Sequence, residues 1–239
     1  MTHAHLTFTR LLGAAFCAAA LAACTQLPAP ASSPAPPPAP TPMPSPPPPQ
    51  AAAAAAPSPP LGPQLRIDTA NSLIAITVRR GGMLARLGHD HVVASHTITG
   101  TVSPAQNRAD LQFRLDDMKV DEADLRRVAG LEKQPSADAI DGTRTNMLTK
   151  VLDAARYPVV AIHAERTGPD QPLRVAITLH GITRTIAIPV ALREENGVIT
   201  VKGTVSLKQT DFGLTPFSVM GGAMAVLDDM ELRFDLTAR

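Results

Sequence analysis

Tryptophan is missing from all 239 residues, tyrosine occurs once and phenylalanine six times, so any apolar interior must be filled by aliphatic side chains. Cysteine is nearly as scarce. Cys17 and Cys24 are the only two, and no disulfide is available to the rest of the chain. Charge is absent from Thr25 to Gln64, and before that Arg10 stands alone. Every other charged residue lies in 65–239, where Lys and Arg match Asp and Glu in number. Such a balance leaves no net basic excess to hold nucleic acid or an anionic surface. No apolar run in 65–239 has the length of a membrane span, and no fixed-period repeat is visible.

What is present at the start is a short leader with Arg10, an apolar stretch from Leu11 to Ala22, and Leu21-Ala22-Ala23-Cys24. A basic start, an apolar core too short for a span and small residues at its end define residues 1–23 as a secretory signal peptide. Leu-Ala-Ala-Cys resembles a bacterial lipobox, which implies cleavage before Cys24 and acylation of its thiol. Two or more acyl chains give stable anchoring. Thr25 is not the Asp that resembles an inner-membrane retention signal, so the expected location is the outer membrane, facing the periplasm. Residues 24–64 are almost entirely Pro, Ala and Ser. They form a disordered linker whose proline-rich parts, at roughly 3 Å per residue, span on the order of 100 Å.

Residues 65–239 have the length of one domain. Their clearest pattern is Leu173 to Leu192, where apolar residues alternate on either side of Gly181. Alternation of period two predicts a β-hairpin with Val175, Ile177, Leu179, Ile186, Ile188 and Val190 on the dry face. Pro189 cannot donate to a ladder and marks an edge or bulge. Similar strands are expected at Leu73–Val78, Thr97–Val102, around Leu111, Phe113 and Leu115, around Val160, Ile162 and Ala164, at Val198–Leu207 and at Ala225–Leu236. Asp121 is expected to cap a short helix ending at Gly130. A longer helix is expected from about Asp141 to Ala155, with Met147, Leu148, Val151 and Leu152 on one stripe. The links are too short for repeated crossovers, so the domain is mainly β and antiparallel.

A strand near Asp68, Asn146-Met147-Leu148, Tyr157-Pro158, Leu179-His180-Gly181-Ile182-Thr183-Arg184, Asp211-Phe212-Gly213-Leu214 and a final alternating strand follow one another in this order. Over Leu65 to Arg239 this resembles the YceI-like family. The resemblance implies a lipocalin-like, eight-stranded antiparallel β-barrel in the periplasm, binding an isoprenoid chain such as a quinone or polyprenyl lipid in its bore. The chain departs from the family pattern at Asn71-Ser72, at Arg144-Thr145-Asn146 and in its missing Trp. Alternation puts Ile74, Ile76, Val78, Phe113, Ile162, Ile177, Leu179 and Phe234 on the barrel lining, where medium-sized groups leave a narrow channel.

Gly88-His89-Asp90-His91, followed by His96, carries the remaining chemistry. Three readings stand for it: a polar turn ordered by Asp90, a clasp on a ligand head group, or a metal site using His89 and His91. The last needs a third ligand such as His96, His163 or His180. Asp211-Phe212-Gly213 lacks every other part of a kinase, Gly-x-Ser-x-Gly is absent, and Asp116-Asp117 and Asp228-Asp229 read as solvated turns. No enzyme activity or cofactor is expected. The function classes left are a carrier or sequestering protein for an apolar ligand and a structural or stress-related envelope lipoprotein with a filled interior.

Overall fold

The computed structural model describes residues 62–131 and 133–239; the signal segment, Cys24 and the linker as far as residue 61 lie outside the described residues. In chain order the elements are β1 (Leu65–Arg66), β2 (Leu73–Gly81), β3 (His91–Ser95), β4 (Thr99–Ser103), β5 (Arg108–Arg114), β6 (Lys119–Val120), α1 (Ala123–Val128), α2 (Ala137–Asn146), β7 (Val159–Glu165), β8 (Leu173–Leu179), β9 (Ile182–Ile188), β10 (Ala191–Glu195), β11 (Val198–Lys208), β12 (Ser218–Val219) and β13 (Met224–Ala238). All pairings are antiparallel. Among the described residues, no helix is long and apolar enough to cross a membrane.

The strands form two sheets, ordered β1-β4-β5-β7-β8-β9 and β10-β11-β13-β2-β3-β6, with β12 paired to β13. They do not close into the eight-stranded barrel expected from the sequence. Pro189 interrupts the chain between β9 and β10 and offers no amide to continue the ladder. At the opposite edges β1 and β6 are two residues each, too short to zip the sheets together. One isolated bridge, Ile67 to Ala238, joins the sheets at a corner.

The hairpin expected at 173–192 is β8 and β9, with its second arm ending at Ile188 rather than Leu192. His180 (φ 53°) and Gly181 (φ 75°) both take left-handed backbone, which matches the twist of the two strands. Gly181 is required twice over, because a Cβ there would lie 2.9 Å from the Tyr157 ring. The facing sides of the sheets bury Ile74, Val93, Leu111, Phe113, Val175, Ile177, Ile188 and Phe234 in one cluster. Full burial of such a side chain is worth about 1.5–3 kcal/mol.

Three features depart from the sequence reading. β3, which the sequence reading did not pick out as a strand, is buried along its whole length. Val93 faces the main core, while Val92 and Ala94 pack with Leu131 and, through it, against Leu125 of α1. A strand covered on both faces shows no alternation and carries no period-two signal. Asp121 does not cap α1, whose N-cap is Glu122 without a side-chain bond. α2 begins four residues before Asp141, capped by Ser136 Oγ accepting from Ala139 N at 3.3 Å, and runs into a π-turn at Met147–Val151.

Candidate functional site

Two apolar cavities lie between the sheets. The first, of about 250 Å³, is walled by strands: Ile74, Leu111, Val175, Ile188, Val201 and Phe234 are among its lining residues. The second, of about 340 Å³, adds loop and helix residues, including Met118, Met147, Phe212, Phe217 and Met224. Ile162, Ile177 and Leu232 belong to both walls, so the two cavities meet at these three side chains. Together the two cavities make up the apolar interior, or bore, of the domain.

All eight residues expected on a barrel lining border this space. Ile74 and Phe234 face the first cavity; Ile76, Val78, Phe113 and Leu179 the second; Ile162 and Ile177 both. Phe234 owes its place to the residue opposite it. Gly203 pairs with Phe234 across β11 and β13, and a Cβ on Gly203 would meet the ring at 2.5 Å. Missing that Cβ lets the only aromatic of the first cavity lie against its wall.

The second cavity has a polar corner. His89 and His91 line it, with ring centroids 6.1 Å apart, as do Arg80, Thr143, Asn146 and Gln209. Among the described residues, no acidic side chain lines it. Asp90, expected beside the histidines, turns away: its carboxylate accepts from Arg80 N at 2.9 Å and lies 3.7 Å from the guanidinium of Arg79. His89 is pushed below the ordinary histidine range, first by its desolvation and then by coulombic repulsion from His91, Lys133, Arg126 and Arg80.

His91 is held from behind. Its Nδ1 lies 2.6 Å from Asp121 Oδ2, and its Nε2 lies 3.4 Å from the Thr143 hydroxyl, which itself donates to Ala139 O at 2.8 Å. Asp121 also accepts from Val92 N at 3.1 Å and from Arg126 Nη1 at 2.5 Å. Arg126 reaches the carbonyls of Asp90 (2.8 Å) and Lys133, and Gln134 Nε2 donates to Asp121 O at 2.9 Å. Asp121 is buried with φ 58°, a conformation that Asp tolerates better than most residues. Burial pushes its carboxyl up, but the bonds from His91, Val92 N and Arg126 outweigh this and hold it below the usual carboxylate range. Arg126 Nε is buried without a partner among the described residues. This cluster ties the β2–β3 loop, α1 and α2 together behind the histidines.

The remaining histidines are elsewhere. His96 Nε2 lies 2.8 Å from Glu122, His163 sits between Asp110 (2.6 Å) and Glu165 (3.3 Å), and His180 stacks edge-on against Tyr157. Among the described residues, no three His, Cys, Asp or Glu side chains come together to hold a metal ion. Sequence reasoning missed Leu232 as a shared wall, and Thr143, Asp121 and Arg126 as the polar support. Leu232 was readable from the alternation of β13. The others carry no local signal, since their partners are distant in sequence.

A two-sheet antiparallel domain enclosing an apolar bore with a polar corner is a small-molecule binding architecture. Residues 65–238 match the YceI-like domain, and the chain belongs to that family. Its fold is similar to that of a polyisoprenoid binding domain from Saccharophagus degradans implicated in plant cell wall breakdown. That pair shares 13% identity over 73% of this chain and 97% of the other, with a TM-score of 0.53. BcnA of Burkholderia cenocepacia is similar at 15% identity, over 72% of this chain and 99% of the other, with a TM-score of 0.50. No curated protein matches the chain.

Proposed function

We propose that this protein carries or sequesters one apolar, isoprenoid-type molecule, a quinone or polyprenyl lipid, in the bore. The observation that carries the reading is the pair of apolar cavities that share Ile162, Ile177 and Leu232 in their walls. An elongated chain lying past these three side chains fills both cavities, and small rotamer changes open the way between them. The polar corner at His89 suits the single polar end of such a molecule. Similarity to a polyisoprenoid binding domain supports the same class of ligand. An interior filled by its own side chains has no place for volumes of this size. In this reading the domain is an outer-membrane lipoprotein of the periplasm, held by acylated Cys24 at the end of the 24–64 linker, and it binds rather than catalyses.

Mass spectrometry of small molecules extracted from natively purified protein tests the ligand. An isoprenoid quinone at about a hundredfold its dissociation constant is expected to raise the melting temperature by roughly a few degrees. No extracted lipid, and no shift with quinones, polyprenyl phosphates or fatty acids, would overturn the carrier reading. Cys24→Ser is expected to move the folded protein from the membrane pellet to the soluble fraction, and its persistence in the pellet would count against acylation.

A further inference from the structure

The exposed apolar residues of this domain are not scattered. Of the seven exposed large hydrophobics among the described residues, five, Met83 (89% exposed), Leu87 (57%), Val219, Met220 (69%) and Leu227, come from two segments, 82–90 and 214–227; Val128 and Val159 lie elsewhere. These segments adjoin. Leu84 N donates to Ala223 O at 2.8 Å, Gly81 pairs with Ala225, and a Cβ on Gly81 would meet Leu227. Leu87 and Val219 are exposed and also line the second cavity, so the cavity reaches the surface between the two segments. From Gly82 to His89 the only charged side chain is Arg86, and from Gly213 to Leu227 there is none. Elsewhere the domain is rich in paired charges, such as Arg108–Asp110, Arg174–Glu165 and Lys202–Asp235.

We propose that this apolar collar docks on the surface of a lipid bilayer and places the mouth of the second cavity against it. The purpose rests on the carrier reading above, because an apolar chain then passes between bilayer and bore without crossing water. The docking itself rests only on the collar. Flexible, exposed methionines around a mouth suit a fluid partner better than a shaped protein surface. Arg86, within the collar, and Arg79 and Arg80, at its base, favour anionic headgroups; Asp90 lies 3.7 Å from each of the latter two. Net neutrality of the domain averages this asymmetry away.

The absence of tryptophan supplies the test. In the full chain carrying Cys24→Ser, single tryptophans at Met83, Met220 and Gln171 report on the collar and on the β7–β8 turn beside the first cavity. Vesicles of phosphatidylethanolamine and phosphatidylglycerol are expected to blue-shift the emission of Met83→Trp and Met220→Trp but not of Gln171→Trp. A Met83→Asp, Met220→Asp double variant, read by Gln171→Trp to confirm folding, is expected to lose co-sedimentation with the vesicles. Arg86→Gln is expected to weaken it about fivefold. Equal shifts at all three positions, or none, overturn the proposal. So does a collar shift that needs no vesicles and follows self-association by sedimentation velocity, which would assign the collar to a second copy. Ligand extraction and the melting shift are measured without vesicles, so failure of the carrier reading leaves a distinct signature from failure of docking.

Discussion

The two ends of the bore are built by different means. Around the first cavity the walls are strands whose backbone groups are satisfied by their neighbours, and the lining follows from alternation along β5, β7, β8, β11 and β13. Around the second, much of the wall is loop, 3₁₀ turn and π-turn, and its shape depends on polar contacts between distant segments, such as His91 with Asp121 and with Thr143, 30 and 52 residues away. A strand-built wall is determined by local pattern, whereas a loop-built wall needs a specific buried polar cluster. The loop-built end also carries the exposed apolar residues of segments 82–90 and 214–227.

The largest expected effect comes from breaking that cluster. Asp121→Asn keeps a side chain that accepts positive φ but leaves Arg126 buried without its counter-charge, at a cost of about 3–5 kcal/mol by urea unfolding. Hydrogen exchange is expected to rise first in β3, α1 and α2, not in β7 and β8; a uniform rise would erase the distinction between the ends. Because the folded carboxyl of Asp121 lies below its ordinary range, its contribution is present above that range and is lost as pH falls through the folded value. The wild type is therefore expected to lose stability toward acid more steeply than Asp121→Asn, as comparison of urea midpoints in stepped acidic buffers will show.

Gly203→Val acts on the other end. The new methyls displace the Phe234 ring into the first cavity, at about 1–3 kcal/mol, and are expected to reduce the ligand-induced rise in melting temperature. Retention of the full shift would mean that the ligand occupies the second cavity alone. Ile177→Trp falls at the shared wall, where space on both sides accepts the ring, so its cost is expected near about 1 kcal/mol while the ligand shift disappears. The smallest effect is expected from Arg174→Gln, which removes an exposed pair with Glu165 that lines neither cavity; an unchanged urea midpoint and an unchanged ligand shift make it the control.

Alternation was enough to read β8, β9 and β13 from the sequence, because in a half-buried strand each side chain's face follows from its position alone. The order of motifs from Asp68 to the last strand was enough to suggest the family. Local pattern said nothing reliable about β3, which is dry on both sides, or about Asp121, which reads as a helix cap and serves as the centre of a buried ion cluster. The closed barrel was implied by the family resemblance, and strand count carries no information on whether the edges meet. Closure depends on the ladder between the final strands, and Pro189 with the two-residue edges decides it. What the sequence by itself determined is which residues of the half-buried strands are dry. Which of them stand across an empty space, and which exposed ones gather around its mouth, depends on contacts between distant segments, and only the tertiary structure decided that.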